Sequence, residues 1–328
     1  MTATSELKAC AARFLTGNSR QIAAVRRITL DDGAERGNRA LAFSTGGGLD
    51  FWVLSDRSLD IGPLWFQGMQ SAWEHPAGYI APAQFRRDED GQTGIERALS
   101  GFLVTCGAEH ARQPVNGQAL HGNLPLTPAK VTSYGEAWDN ENPVLFCEGE
   151  VTVAHLAKAS YRLKRRIEAP IGSKRLTIID TFENIGLEAF DLSLLYHFNF
   201  GFPALGNGTH VDINENNWLT TSGPENHSSV EDPVFVCRRV QERKDTIIGV
   251  KRAPADDRRG FHARITTDAQ QLPFVQIWSD PRPSRNILAI EPSNCERLPD
   301  GTSGPGTRLE TGKSWTNRIE IKFSETGD

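Results

Sequence analysis

From residue 129 to residue 185, apolar and polar positions alternate almost without a break. The alternation falls into four runs, Ala129–Tyr134, Val144–Val153, Tyr161–Ala169 and Arg175–Asn184. A period of two marks strands that bury one face, so these runs predict an antiparallel meander. Glu183-Asn184-Ile185-Gly186 turns the chain into the segment around which the rest is organised, Ser193 to Gly206. Leu192, Leu194 and Tyr196 fall on one face of that strand, and Ser193, Leu195 and His197 on the other. His197 and Asn199 share a side, and Gly201, Pro203 and Gly206 end the strand in a turn.

On the N-terminal side, Gln21–Leu30 alternates and Asp31-Asp32-Gly33 supplies a hairpin turn. Arg39–Ser44 and Leu49–Leu54 follow around Gly46-Gly47-Gly48, and the second runs into the charged cluster Ser55-Asp56-Arg57-Ser58-Leu59-Asp60-Ile61-Gly62. Positions 64 to 100 read as a long irregular loop rich in aromatics, with Trp65, Trp73, His75 and Tyr79, and a charged run from Arg86 to Asp90. Long loops inside globular domains tend to carry function. Gly101–Gly107 is a further strand. Beyond residue 206 the alternating runs are Trp218–Thr221, Val234–Arg239, Thr246–Lys251, His262–Thr267, Phe274–Ser279, Asn286–Glu291 and Trp315–Phe323. The first fifteen residues read as a short amphipathic helix capped by Thr4 or Ser5. About twenty strands and one short helix predict an all-β fold, a large antiparallel β-sandwich of sheets packed face to face. No break in composition and no fixed repeat divides residues 1–328, which read as a single domain.

Composition narrows the picture. A 38% hydrophobic and 23% charged chain is that of a globular protein, and 30 glycines with 18 prolines fit many turns. A net charge of -5 and the lack of a dense basic run argue against nucleic acid. Lys164-Arg165-Arg166 lies inside an alternating run and reads as a solvated strand face. No apolar stretch approaches the roughly 18 residues of a membrane span, and the N-terminus lacks the apolar core of a signal peptide. Five cysteines, scattered singly and odd in number, predict reduced thiols and a cytoplasmic setting. The expected partner is a small molecule, with monomer and homodimer both open.

Four residues capable of chemistry stand where predicted strands meet loops: Arg57, His121, His197 and Glu291. An imidazole at the end of an apolar strand suits acid-base work, and a carboxylate there requires partners or a raised pKa. Each has a plain structural alternative. The histidine can be a core residue satisfied by a backbone carbonyl, and the glutamate can be half of a salt bridge. Four such residues together supply an acid, a base, a spare donor and a fixed guanidinium fork.

Leu120-His121-Gly122, Tyr196-His197-Phe198-Asn199 and Ile290-Glu291-Pro292, in that order, resemble the galactose mutarotase (aldose 1-epimerase) superfamily. Asp56–Gly62 and the Gly304–Phe323 stretch support the resemblance, which spans about residues 20 to 323. It is nearest to an uncharacterised bacterial branch in which Arg-x-Leu-Asp-Ile-Gly, Gly-Phe-Leu-x-Thr-Cys-Gly and Leu-His-Gly segments recur. The resemblance implies a supersandwich with a sugar cleft on one sheet and no cofactor. It implies Glu291 as general base, His197 as general acid, His121 as the second active-site histidine and Arg57 as a substrate-binding arginine. His110, Asn199, Trp73 and Asp232 complete the candidate substrate-binding set, with Asp212 an alternative to Asp232. Trp65, Trp73, Tyr79 and Phe85 are expected at the cleft rim. His110 and the 64–85 loop depart from the mutarotase pattern and point to a different sugar or a different reaction. Two further readings stand beside the enzyme: a sugar-binding regulatory protein, and a metal-dependent isomerase or lyase using His110, His121, His197 and Glu291.

Overall fold

The computed structural model of the chain describes residues 13–82, 99–138, 142–156, 159–221, 233–240, 243–255, 258–282 and 285–326. The expected N-terminal helix falls largely outside them; Arg13–Leu15 is a single 3-10 turn. Among the described residues the chain forms antiparallel sheets. The first has five strands in chain order: β1 (Ala24–Thr29), β2 (Arg39–Ser44), β3 (Leu49–Leu54), β4 (Asp60–Phe66) and β5 (Met69–Gln70). β6 (Leu103–Cys106) leaves this sheet, and the meander follows as β7 (Lys130–Ala137), β8 (Val144–Val153), β9 (Tyr161–Pro170) and β10 (Arg175–Asn184). Then come β11 (Phe190–Leu192), β12 (Leu195–Phe200), β13 (Thr209–Ile213), β14 (Asn216–Thr221), β15 (Val234–Arg239) and β16 (Asp245–Arg252). β17 (Phe261–Asp268), β18 (Phe274–Asp280), β19 (Ile287–Ser293), β20 (Thr307–Leu309) and β21 (Ser314–Ser324) complete the set.

A nine-stranded sheet in the order β14-β13-β16-β17-β21-β10-β9-β8-β7 is the largest layer, and a five-stranded sheet, β15-β18-β19-β12-β6, carries the central strand. One continuous hydrophobic cluster joins the inner faces of all three large sheets. Its aromatic part crosses the layers: Phe323 packs on Phe66, Phe102 and Phe261, with ring centroids 5.8, 5.8 and 6.2 Å away. Burial of each such ring contributes roughly 1.5–3 kcal/mol. The alternation read from the sequence is what builds these faces; in β21 exposed and buried residues follow one another from Ser314 to Phe323, with Glu320 partly exposed.

The packing corrects two sequence expectations and adds a strand that the alternation passed over. β4 runs from the charged cluster into the segment expected to be irregular from residue 64; Asp60–Leu64 is buried on both faces and shows no alternation, and Gly62-Pro63 resembles a turn. β13 escapes the pattern because its hairpin to β14 turns on Asn214-Glu215, both at positive φ, without glycine. Lys164-Arg165-Arg166 is no solvated face: Lys164 is exposed, but Arg165 is 0% exposed and sits between the layers. It pairs there with two carboxylates, Asp60 and Asp180, at 2.9 and 2.7 Å. A charge of one sign at an inward position is tolerated only with such partners.

Candidate active site

The central strand β12 has two unlike faces. Tyr196, Phe198 and Phe200 enter the core, while His197 and Asn199 face the other way. β19 lies beside β12 with Phe198 opposite Ile290 and Leu195 opposite Ser293, which sets His197 beside Glu291. On the far side of β19, Gln276 of β18 is the direct partner of Glu291. Strand register therefore lays Gln276, Glu291 and His197 in a row across three neighbouring strands, on the face turned away from the core.

A cavity of about 520 Å³ opens over this row, lined among others by Trp73, Arg112, His121, His197, Trp278 and Glu291. His197 Nε2 lies 3.5 Å from Glu291 Oε1, and both side chains are almost fully buried. Asn199 locks the histidine. Its Nδ2 donates to the Leu99 and Gly101 carbonyls at 2.8 and 3.1 Å, which turns its Oδ1 to His197 Nδ1 at 2.5 Å. Nδ1 then carries a hydrogen, and Nε2, facing Glu291, is the nitrogen left to exchange a proton. Gln276 Nε2 donates to Glu291 Oε2 at 2.6 Å, and Gln276 Oε1 accepts from Arg112 Nε at 3.2 Å. Glu291 Oε1 has no hydrogen-bond partner among the described residues. Burial holds the Glu291 carboxyl above its ordinary pKa, although His197 and Arg112 pull it down. That is the setting of a carboxylate readier to take a proton than an ordinary glutamate.

The second histidine comes from a loop. His121 has φ of 60°, its N–H donates to the Arg112 carbonyl at 2.9 Å, and its carbonyl accepts from Gly107 N–H at 3.1 Å. The next residue must be glycine: at Gly122 a Cβ would stand 2.4 Å from the His110 carbonyl and 2.5 Å from that of Gly107. The Leu-His-Gly motif thus has a steric cause. The His121 ring meets that of His197 edge-on at 5.6 Å, and its buried Nδ1 has no hydrogen-bond partner among the described residues. Burial, then the charges of His197, Arg112 and His110, push its pKa well below the ordinary value, so it is neutral.

The other expected site residues divide. Trp73 lines the cavity and donates from Nε1 to the Arg285 carbonyl at 2.6 Å. Arg57 does not line it: fully buried behind the wall, it donates to the Ser100 carbonyl at 3.0 Å and faces Asp60. His110 is buried beside the Gln113 carbonyl, 2.8 Å from its Nε2, and stands behind His121. Asn199 positions His197 and does not border the cavity. Asp212 pairs with Lys251 at 2.7 Å on the nine-stranded sheet, and Asp232 and Phe85 lie outside the described residues. Of the expected rim, Trp65 packs on Trp52 at 5.8 Å and Tyr79 is buried with Ala40 and Leu54, both away from the cavity.

The aromatic wall comes instead from Trp278, 5.9 Å from the His197 ring, and Phe235, stacked on Trp278 at 6.1 Å. The Trp278 Nε1 has no hydrogen-bond partner among the described residues. Sequence reading missed Gln276, Arg112, Trp278 and Arg297. Gln276, a polar residue between Val275 and Ile277 in an apolar run, carried a legible signal; the loop arginines carried none. Among the described residues no group of three or more His, Cys, Asp or Glu is placed to hold a metal ion, and no helix is long and apolar enough to cross a membrane.

Comparison with known proteins places the fold. A family described as a domain of unknown function, DUF4432, matches residues 35–323. No curated protein matches the chain. An aldose 1-epimerase candidate from Klebsiella pneumoniae has a similar structure, with TM-score 0.70 and 18% identity over 91% of this chain and 83% of its own. A galactose mutarotase-like protein from Clostridium acetobutylicum gives TM-score 0.58 and 13% identity over 92% and 98%. A galactose mutarotase related enzyme from Lactobacillus acidophilus gives 0.57 and 12% over 92% and 99%. The architecture is that of the galactose mutarotase-like β-sandwich.

Proposed function

From the premise that this chain belongs to the DUF4432 family and has the galactose mutarotase-like fold, we propose that it is an aldose 1-epimerase, interconverting the anomers of a sugar. The observation that carries the reading is the 3.5 Å pair of His197 Nε2 and Glu291 Oε1 on the cavity floor. Asn199 and Gln276 hold the pair from behind. The names of the structural neighbours support the same chemistry.

Ring opening needs a proton removed from the anomeric hydroxyl as another reaches the ring oxygen. One side chain cannot do both in the same step, and two neighbouring ones can. Glu291 takes the hydroxyl proton while His197, in its imidazolium form with a hydrogen on each nitrogen, gives its Nε2 proton to the ring oxygen and is left as the neutral Nδ1–H ring, and the C1–ring oxygen bond breaks. Rotation about C1–C2 presents the other carbonyl face. Closure reverses both transfers, so each group returns to its starting state. Neutral His121, with its ring against His197, offers a hydrogen bond to a sugar hydroxyl. Trp278 and Phe235 offer flat faces to the sugar's C–H edges.

The test is saturation-transfer NMR or polarimetry on freshly dissolved aldoses and aldose derivatives, corrected for spontaneous exchange. Acceleration by the wild type that is lost in Glu291→Gln supports the reading. Saturable binding with no acceleration would make the protein a sugar binder instead.

A further inference from the structure

The chain carries a net charge of -5, yet among the described residues the lining of its cavity holds more cations than carboxylates. Among the described residues three arginines border it, Arg112, Arg285 and Arg297, against one carboxylate, Glu291, whose pKa burial raises. Arg112 spends its donors on neutral groups: the carbonyls of Cys295 and Glu296 at 3.0 and 3.1 Å, Ser303 Oγ at 3.3 Å, Cys295 Sγ at 3.2 Å and Gln276. Arg285 reaches Asp280 at only 3.6 Å, and that carboxylate is already held by Arg282 through bonds of 2.7 and 2.6 Å. Arg297 lies over the Phe235 ring at 5.3 Å, and its charge also reaches Glu291 and the exposed Asp300.

These charges are ordered in depth. Glu291 is 1% exposed on the floor, while the Arg285 side chain is 62% exposed at the opening. The opposite ends of the cavity therefore favour opposite ends of a polar ligand. The floor is taken up by the Glu291 and His197 pair, whereas an anion placed at the opening meets guanidinium forks whose geometry matches carboxylate or phosphate oxygens. The cationic opening also steers such a ligand inward, against the field of a chain that is acidic overall.

Building on the epimerase reading, we propose that the ligand is an anionic sugar. Its carboxylate or phosphate lies at the end remote from the anomeric carbon and is bound by Arg285 and Arg297, while the anomeric end points down to His197 and Glu291. The charge then does two things: it selects the substrate and it fixes which end reaches the acid-base pair. Phe235 and Trp278, stacked beneath Arg297, place the anion clamp and the sugar-stacking wall on one continuous surface.

Calorimetric titration of the full chain with matched pairs tests this: galacturonate against galactose, glucuronate against glucose, and glucose 6-phosphate against glucose. At least one anion is expected to bind about tenfold or more tighter than its neutral partner, the scale of one charge-assisted hydrogen bond. The preference should shrink as salt rises. Whether the uronates or the phosphate carry it identifies the anionic group. In Arg285→Gln and Arg297→Gln the ratio of anionic to neutral affinity should fall several-fold each, and Lys at either position should restore part of it. Equal affinities for both members of every pair, no binding of any anion, or a ratio unchanged in the double Gln variant overturns the proposal. If the Gln variants unfold, the salt dependence of the wild type and the Lys variants decide it. Selective anion binding without anomer exchange leaves this inference standing and removes the epimerase; exchange of neutral sugars with no charge preference does the reverse.

Discussion

Tyr196 and His197 are neighbours in the sequence and belong to two opposite designs. Tyr196 faces inward and donates to Asp180 Oδ2 at 2.8 Å, within a sealed cluster around Arg165. Arg165 gives Asp180 two bonds of 2.7 Å, Asp60 one of 2.9 Å and Thr105 one of 2.9 Å, and Asp60 also accepts from Thr105. Burial opposes the charge on Arg165, but Asp180 and Asp60 hold its pKa above the ordinary value. His197 faces outward into a cluster left incomplete, in which Glu291 Oε1, His121 Nδ1 and Trp278 Nε1 have no hydrogen-bond partner among the described residues. Unpaired buried polar atoms each cost on the order of 1–3 kcal/mol, so a site that keeps several together is suited to a ligand that completes them. The sealed cluster ties the layers together, and the open one holds its hydrogen-bonding capacity in reserve.

The largest effects should separate the two designs outright. Arg165→Met leaves Asp60 and Asp180 as buried charges without their main partner, and urea unfolding should show a loss of about 3–5 kcal/mol. Glu291→Gln should do the opposite, lowering kcat by about 10²–10⁴-fold while the protein stays as stable as the wild type or becomes slightly more so. The sign follows from linkage. Burial raises the Glu291 pKa in the folded state, so the stabilisation from its proton is present at low pH and lost as pH rises through that pKa. Above that pKa the ionised group is a burden that Gln removes. A Glu291→Gln protein that is fully active, or as unstable as Arg165→Met, would erase the distinction.

Asn199→Ala should come next, with kcat down about 10–100-fold, because a freed imidazole loses the tautomer and angle that direct Nε2 at Glu291. Sugar affinity should change far less, and titration alongside kinetics reads the two apart. The pH profile of kcat/KM sharpens the same contrast. Its acidic limb, where Glu291 gains a proton and ceases to act as a base, should lie above the 4.5 of an ordinary glutamate. A limb at or below that value would mean the carboxylate is solvated after all. The smallest effect concerns the aromatic wall: Trp278→Leu should weaken sugar binding about threefold to tenfold, and Trp65→Leu not at all, since Trp65 packs on Trp52 away from the cavity.

Much of the fold was legible in the sequence, because alternation is local. β2, β3, β8 and β10 begin and end where the apolar period begins and ends, and β21 extends the expected run by one residue at each end. Alternation fails where a strand is buried on both faces, as in β4, and it cannot distinguish an inward arginine from an outward one, as in Arg165. Within the site, His197, Glu291 and His121 were visible as polar residues at the ends of apolar runs, and the structure brings them to one cavity. Arg57 looked the same and lies behind the wall, because a position at a strand end says nothing about which side of the sheet the following turn takes.

The sequence by itself determined the period of two, hence strands with a buried face, and it determined which residue types could exchange protons. Tertiary structure alone decided that Gln276, Glu291 and His197 stand in one row, since residues far apart in the chain meet only through the register of β18, β19 and β12. It alone decided that Arg112 reaches Gln276 from a loop and that Arg285 and Arg297 share an opening. The physical reason is range. Alternation is imposed residue by residue by the strand backbone, whereas register, burial and the sum of charges around a cavity are properties of segments that become neighbours only when the sheets close.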